Sequence, residues 1–279
     1  MSTMSVECKG ELSVREMTSA VNSVLRITAT VLVFVFHCNA LYGLGSDRPL
    51  FYAFSFFLFL SGFYAASARS NPVGWLMRRL RRIYIPYWIV VVGVVAANMM
   101  YGYKDVGVFE IGVLLAGGNL FIDNSLYVIA WFVSAILCFY LYVFVIAVLR
   151  SVVLRVGVTV VWAWFLLVFD IPPYFFVAFA LGFLLRRLMA STGLDKESFR
   201  SGGAFHASLS TSSGLLFTVQ NYSYEFFLLH GGVLILFTKV FHAGYAVSFL
   251  AGFLLTAAGA VLLKRLSNRI DELVVSLAS

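Results

Sequence analysis

Nine long apolar runs, divided by short polar or basic stretches, leave this chain one kind of environment in which to fold. They lie at approximately 24–43, 50–68, 83–101, 108–122, 126–149, 156–170, 173–189, 214–241 and 243–263. Most reach or approach the ~20 residues that cross a ~30 Å hydrocarbon core as a helix. In lipid a lone strand would leave its backbone groups unpaired, so each run is expected to be helical. Composition points the same way: of 279 residues, 61% are hydrophobic and 12% charged. A soluble domain needs more charge than this to solvate its outside. The expected fold class is therefore all-α: a polytopic transmembrane helical bundle.

The positive charges orient the bundle. Arg15 and Arg26 precede or open the first run, and Arg69, Arg78, Arg79, Arg81 and Arg82 separate the second from the third. Arg150 and Arg155 follow the fifth run, Arg186 and Arg187 end the seventh, and Lys264, Arg265 and Arg269 follow the last. Placing them on the cytoplasmic side puts both termini inside and requires an even number of crossings. The run 108–122 is short and holds Glu110, Gly112, Gly117 and Gly118. Read as re-entrant, it leaves about eight membrane helices. Counting it and splitting 214–241 would give ten. The organisation that follows is a cytoplasmic N-terminal segment 1–20, a membrane domain 21–268 and a cytoplasmic tail 269–279, with a Ser/Gly-rich cytoplasmic loop at 190–213. Segment 1–20 carries Glu7, Glu11 and Glu16 and no apolar core, so it is not expected to be a cleaved signal peptide.

Several function classes lose their footing here. The net charge is +7, but the arginines sit between apolar runs, with no basic groove of interleaved aromatics. Nucleic acid is not an expected partner. Cys8, Cys38 and Cys138 suggest neither a disulfide nor a metal set, so no metal site is expected. No internal repeat of the kind found in many transporters is visible.

Ionisable groups in or beside a membrane helix are costly and usually functional. Arg26 and His37, in SVLRITATVLVFVFHCNA, are separated by eleven residues. At ~100° per residue they share one helix face, ~16 Å apart along the axis. That puts the arginine at the cytoplasmic mouth and the histidine somewhat past mid-membrane. Moving an acyl group from a thioester to an alcohol needs a base for the alcohol proton and a cation for the phosphates of an acyl-CoA. Imidazole suits the first role. Guanidinium suits the second, through paired donors. The pantetheine arm would run along the helix face between them.

The Arg26-x10-His37 spacing resembles the opening motif of the acyltransferase-3 family of membrane proteins. Phe56-Phe57-Leu58-Phe59-Leu60-Ser61-Gly62-Phe63 is similar to its second-helix FFxxSGF pattern. The segment Arg78-Arg79-Leu80-Arg81-Arg82-Ile83-Tyr84-Ile85-Pro86-Tyr87-Trp88 resembles RRxxRIxPxY. Ala130-Trp131-Phe132-Val133 is similar to a central Trp-Phe-Leu element, and Ser223-Tyr224-Glu225-Phe226-Phe227-Leu228-Leu229-His230 to a late SYxxYLxH motif. Each match is weak alone; five in order along nearly the whole chain are a strong signal. Two departures stand out: Phe227 occupies a position that is usually Tyr, and Glu225 is an unexpected acid.

The resemblance implies a multi-helix enzyme of the bacterial inner membrane, similar to O-acetyltransferases. Such an enzyme moves acetyl or another short acyl group from cytosolic acyl-CoA to a carbohydrate or lipid-linked sugar. Acyl-CoA is then a substrate, and no permanently bound cofactor is expected. Arg26 and His37 are implied as the functional pair. Arg78, Arg79, Arg81, Arg82 and His230 are candidates for binding acyl-CoA or acceptor.

Each feature also has a plainer reading. The arginine cluster sets topology whether or not it binds phosphate. His230 can be a packing residue, and His206 a solvated loop residue. Ser61 lacks an acid or base within a turn and is not expected to be a nucleophile; with Gly62 it suits close helix packing. Trp131, Trp88 and Tyr87 suit interface anchoring or packing. The rival function is a transporter or exporter of glycan precursors. It requires charges or broken helices at mid-depth, where the spans carry little besides His37.

Overall fold

The protein is a polytopic helical bundle, seen in a computed structural model that describes residues 11–44, 48–65, 68, 71–122, 126–193, 198–200 and 216–278. In chain order its elements are β1 (Glu11–Ser13), α1 (Val14–Leu41), α2 (Arg48–Ala65), α3 (Pro72–Tyr101) and α4 (Val108–Leu115). Two 3₁₀ turns, Asn119–Phe121 and Val128–Ala130, lead to α5 (Trp131–Val148), α6 (Val152–Val168) and α7 (Pro173–Thr192). β2 (Ser198–Arg200), α8 (Ser223–Ile235), a π-helical turn (Leu236–Val240) and α9 (Tyr245–Ala278) complete it. Among the described residues, the extended structure is one antiparallel pairing of β1 with β2, which ties the start of α1 to the segment after α7. Most of the polar stretch 190–213, His206 included, lies outside the described residues, as do Cys8 and Arg69.

Six helices among the described residues are long and apolar enough to cross a membrane; α2 and α6 are shorter apolar helices. The expected break in the run 108–122 is α4, whose eight residues rise only ~12 Å. The run 214–241 is interrupted too: a helical turn at 216–220 ends before α8 begins at Ser223. Helices also extend beyond the apolar runs, α1 back to Val14 and α9 on to Ala278.

A short helix inside a bundle must place its last carbonyls somewhere. Three aromatic donors on α3 take those of α4. Tyr84 Oη donates to the Ala116 carbonyl at 2.7 Å, Trp88 Nε1 to Leu115 at 2.9 Å, and Tyr87 Oη to Leu114. The segment Tyr84–Trp88 thus holds α4 against α3. Asn71 and Pro72 start α3: the Asn71 side chain accepts from the Gly74 amide at 2.8 Å, and proline needs no partner at the first helical position. Gly102 ends it at φ 59°, where glycine avoids the left-handed penalty.

The tightest helix pair is α2 with α7. A Cβ at Gly62 would stand 2.0 Å from the Phe179 carbonyl oxygen, and one at Gly182 would stand 1.9 Å from that of Phe59. The backbones touch because each presents a bare Cα, which is how helices associate in lipid without a hydrophobic driving force. An aromatic core of Phe54, Trp131, Phe132, Phe175 and Phe227 fills the centre of the bundle, with centroid distances between 4.6 and 6.3 Å.

The segment Tyr127–Ile129 also grips α8. Tyr127 Oη donates to the Leu228 carbonyl. A Cβ at Gly231 would come within 1.7 Å of Ile129 Cδ1. At the far end of α1, Tyr42 Oη donates to the Ala243 carbonyl at 2.5 Å and lies 2.6 Å from Ser248 Oγ, pinning the turn into α9.

Candidate active site

Arginines of α1 and α3 gather at one end of the bundle. Arg26 of α1 enters a cavity of about 100 Å³ together with Arg79 and Arg82 of α3. Tyr64, Tyr140 and Tyr224 supply its polar wall, with Ser61, and Phe57, Phe132 and Phe227 form its inner apolar side. Among the described residues no carboxylate lines it. The Arg26 guanidinium lies 6.0 Å from the Tyr64 ring centre. That of Arg79 lies 5.7 Å from Tyr140 and 5.9 Å from Trp75, and it donates to the Tyr64 carbonyl at 3.3 Å. Three cations side by side, Arg26 and Arg79 against aromatic faces, with no anion among the described lining residues, make a site suited to a polyanion.

The other arginines of the cluster face elsewhere. Arg78 is exposed and does not line the cavity. Arg81 Nε pairs with Asp271 of α9 at 3.6 Å. Helical geometry divides them so, because Arg79 and Arg82 are three residues apart and share a face.

His37 lies eleven residues beyond Arg26, on the same face of α1 and ~16 Å along the axis. It meets His230 of α8: His37 Nδ1 is 3.1 Å from His230 Nε2 and 3.0 Å from the Val33 carbonyl oxygen. His230 Nδ1 in turn faces the Phe227 carbonyl. His230 is 1% exposed and its ring packs against Phe34 and Phe227. Phe227 therefore does two things. Its carbonyl anchors His230, and its ring both lines the arginine cavity and packs against His230 at 5.5 Å between centroids.

Glu225, the unexpected acid of the late motif, is 2% exposed and receives Lys264 Nζ at 2.9 Å. The pair joins α8 to α9. Tyr224 next to it donates to the Ile83 carbonyl at 3.0 Å, close to where Pro86 removes a helical donor from α3. Cys38 is buried and Cys138 half-buried, both as free thiols. Among the described residues no three His, Cys, Asp or Glu side chains converge as a metal would require.

Of the residues singled out from sequence, Arg26, Arg79 and Arg82 come together, as do His37 and His230; Arg78 and Arg81 join neither group. The three cavity tyrosines were missed. Tyr64 and Tyr224 had a signal in lying beside or within recognised motifs. Tyr140 had none, since nothing local to α5 says that its ring faces Arg79.

Comparison with family descriptions matches residues 23–191 to the acyltransferase-3 family, described as an acyltransferase domain. The matched stretch is more than half of the chain and includes Arg26, His37 and all four arginines of the α3 cluster; His230 lies beyond it. Neither curated proteins nor solved structures give a significant match. The family match, the helical membrane bundle and the ordered motifs agree, and the chain belongs to the acyltransferase-3 family of membrane acyltransferases.

Proposed function

We propose that this acyltransferase is an O-acyltransferase, moving an acyl group (acetyl in the simplest case) from cytosolic acyl-CoA to a hydroxyl of a carbohydrate or lipid-linked glycan. One observation carries the reading. Arg26 and His37 leave the same face of α1, the first into a cavity that it shares with Arg79 and Arg82 and that no described carboxylate lines, the second to a histidine partner deeper in the bundle. The donor's phosphates bind Arg26, Arg79 and Arg82. The pantetheine arm extends along α1 toward His37. The basic end faces the cytosol, where acyl-CoA is made, in an inner membrane with both termini cytoplasmic.

In the chemical step His37 takes the proton of the acceptor hydroxyl as its oxygen attacks the thioester carbonyl. The new C–O bond forms, the C–S bond breaks, and the departing sulfur receives the proton from His37. The products are the ester and free CoA. General-base assistance of this kind contributes ~10²–10⁴-fold.

The test is CoA release by purified protein in nanodiscs, with acetyl-CoA and candidate sugar extracts. Wild type releases CoA in an acceptor-dependent way. Folded His37→Ala loses at least ~10²-fold in kcat, and Arg26→Ala loses acyl-CoA binding. A folded wild type that neither binds nor consumes acyl-CoA overturns the proposal in favour of glycan transport, and full activity in His37→Ala overturns the mechanism.

A further inference from the structure

His230 has two hydrogen-bonding nitrogens, and its surroundings dictate which one carries the proton. Nδ1 faces the Phe227 carbonyl, which can only accept. That nitrogen is therefore N–H. A neutral imidazole has one N–H, so Nε2 is bare and is an acceptor itself. It lies 3.1 Å from His37 Nδ1, whose other neighbour, the Val33 carbonyl at 3.0 Å, also only accepts. Both partners of His37 Nδ1 thus ask for its proton, which leaves His37 Nε2 with a free lone pair.

We infer that His230 is a positioning residue: it fixes the proton of His37 on Nδ1 and so commits Nε2 to be the base. The inference rests on the acyl-transfer reading for its consequence, though not for its geometry. A second nitrogen's hydrogen bond sets the reactive tautomer of a catalytic histidine in general. Here the orienting group is another imidazole instead of a carboxylate. When His37 gains the hydroxyl proton, its Nδ1–H still donates to His230 Nε2, so the new charge meets an acceptor already in place. His230 itself touches neither acceptor nor donor in this scheme.

The surrounding fold holds His230 from both sides. Tyr127 Oη takes the Leu228 carbonyl, two residues before it. Gly231, immediately after it, lets Ile129 approach so closely that a Cβ would meet Cδ1 at 1.7 Å. The segment Tyr127–Ile129 is thereby a clamp on the stretch of α8 that presents His230.

Histidine ¹⁵N NMR on full-length protein in nanodiscs reads the tautomer without requiring turnover. The chain has four histidines, so single His→Gln variants assign the His37 signals. The expected result is a neutral His37 protonated on Nδ1 in wild type, and a mixture of tautomers in His230→Phe. Kinetically, His230→Phe lowers kcat about 100-fold with the KM for acyl-CoA unchanged, at the low end of a general-base effect. His230→Gln, whose side-chain oxygen can accept from Nδ1–H, recovers most of that loss. Tyr127→Phe, which keeps every ring, gives a smaller kcat loss in the same direction. Protonation of wild-type His37 on Nε2, or wild-type kcat in His230→Phe, overturns the inference. A wild type without acyl transfer but with His37 protonated on Nδ1 would remove the reaction and leave the pairing intact.

Discussion

The four arginines that open α3 look equivalent as a string of letters, yet they part in space. Arg79 and Arg82 face Arg26, Arg81 reaches Asp271, and Arg78 faces outward. If Arg79 and Arg82 hold phosphates through planar, paired donors, an ammonium cannot replace them. Arg82→Lys and Arg79→Lys are each expected to raise the KM for acyl-CoA about 10-fold with kcat within about 3-fold, because binding common to ground and transition state is what is lost. Arg78→Lys leaves both constants unchanged. Steady-state kinetics on folded protein separates phosphate binding from topology, since all three variants keep the charge that orients the chain. An equal effect at Arg78 would show that bulk positive charge suffices.

Among the elements, α2 and α7 carry the most demanding contact. Gly62→Ala must push the Phe179 carbonyl away from 2.0 Å, and Gly182→Ala must do the same at Phe59. Backbone cannot rotate aside as a side chain can. Each change is expected to destabilise by about 3 kcal/mol or more, the upper part of the overpacking range. Gly157→Ala on α6, where nothing lies within 4 Å, is the control and stays near neutral. Thermal unfolding in detergent measures all three. The α2–α7 seam was half legible: SGF within an apolar run reads as a close-packing site, but nothing in that motif names Gly182 as its counterpart. That the run 108–122 holds only a short helix, α4, was legible through Glu110, Gly112, Gly117 and Gly118. Its three aromatic caps were not, because a tyrosine or tryptophan in an apolar run reads equally well as an interface anchor.

At the scale of the whole molecule, the contacts put Arg26, Arg79, Arg81, Arg82, Arg186 and Asp271 at one end. Single cysteines in a background with the three native cysteines replaced are expected to follow this division. Ser276→Cys and Ser191→Cys react with a membrane-impermeant maleimide from the cytoplasmic side, and Lys104→Cys, between α3 and α4, from the other. Labelling of Lys104→Cys and Ser276→Cys from the same side would overturn the orientation. Sequence alone determined the membrane class, the helices, the basic end and the shared face of Arg26 and His37, because each follows from composition or from the helical repeat within one segment. Tertiary structure alone decided which arginines form the cavity, that tyrosines complete it, and that His37 meets His230 across 193 residues of chain. Those facts depend on how separate helices are rotated about their axes, and that rotation is set by mutual packing, by glycines that admit a neighbour's backbone and by carbonyls that need donors. No single segment contains that information.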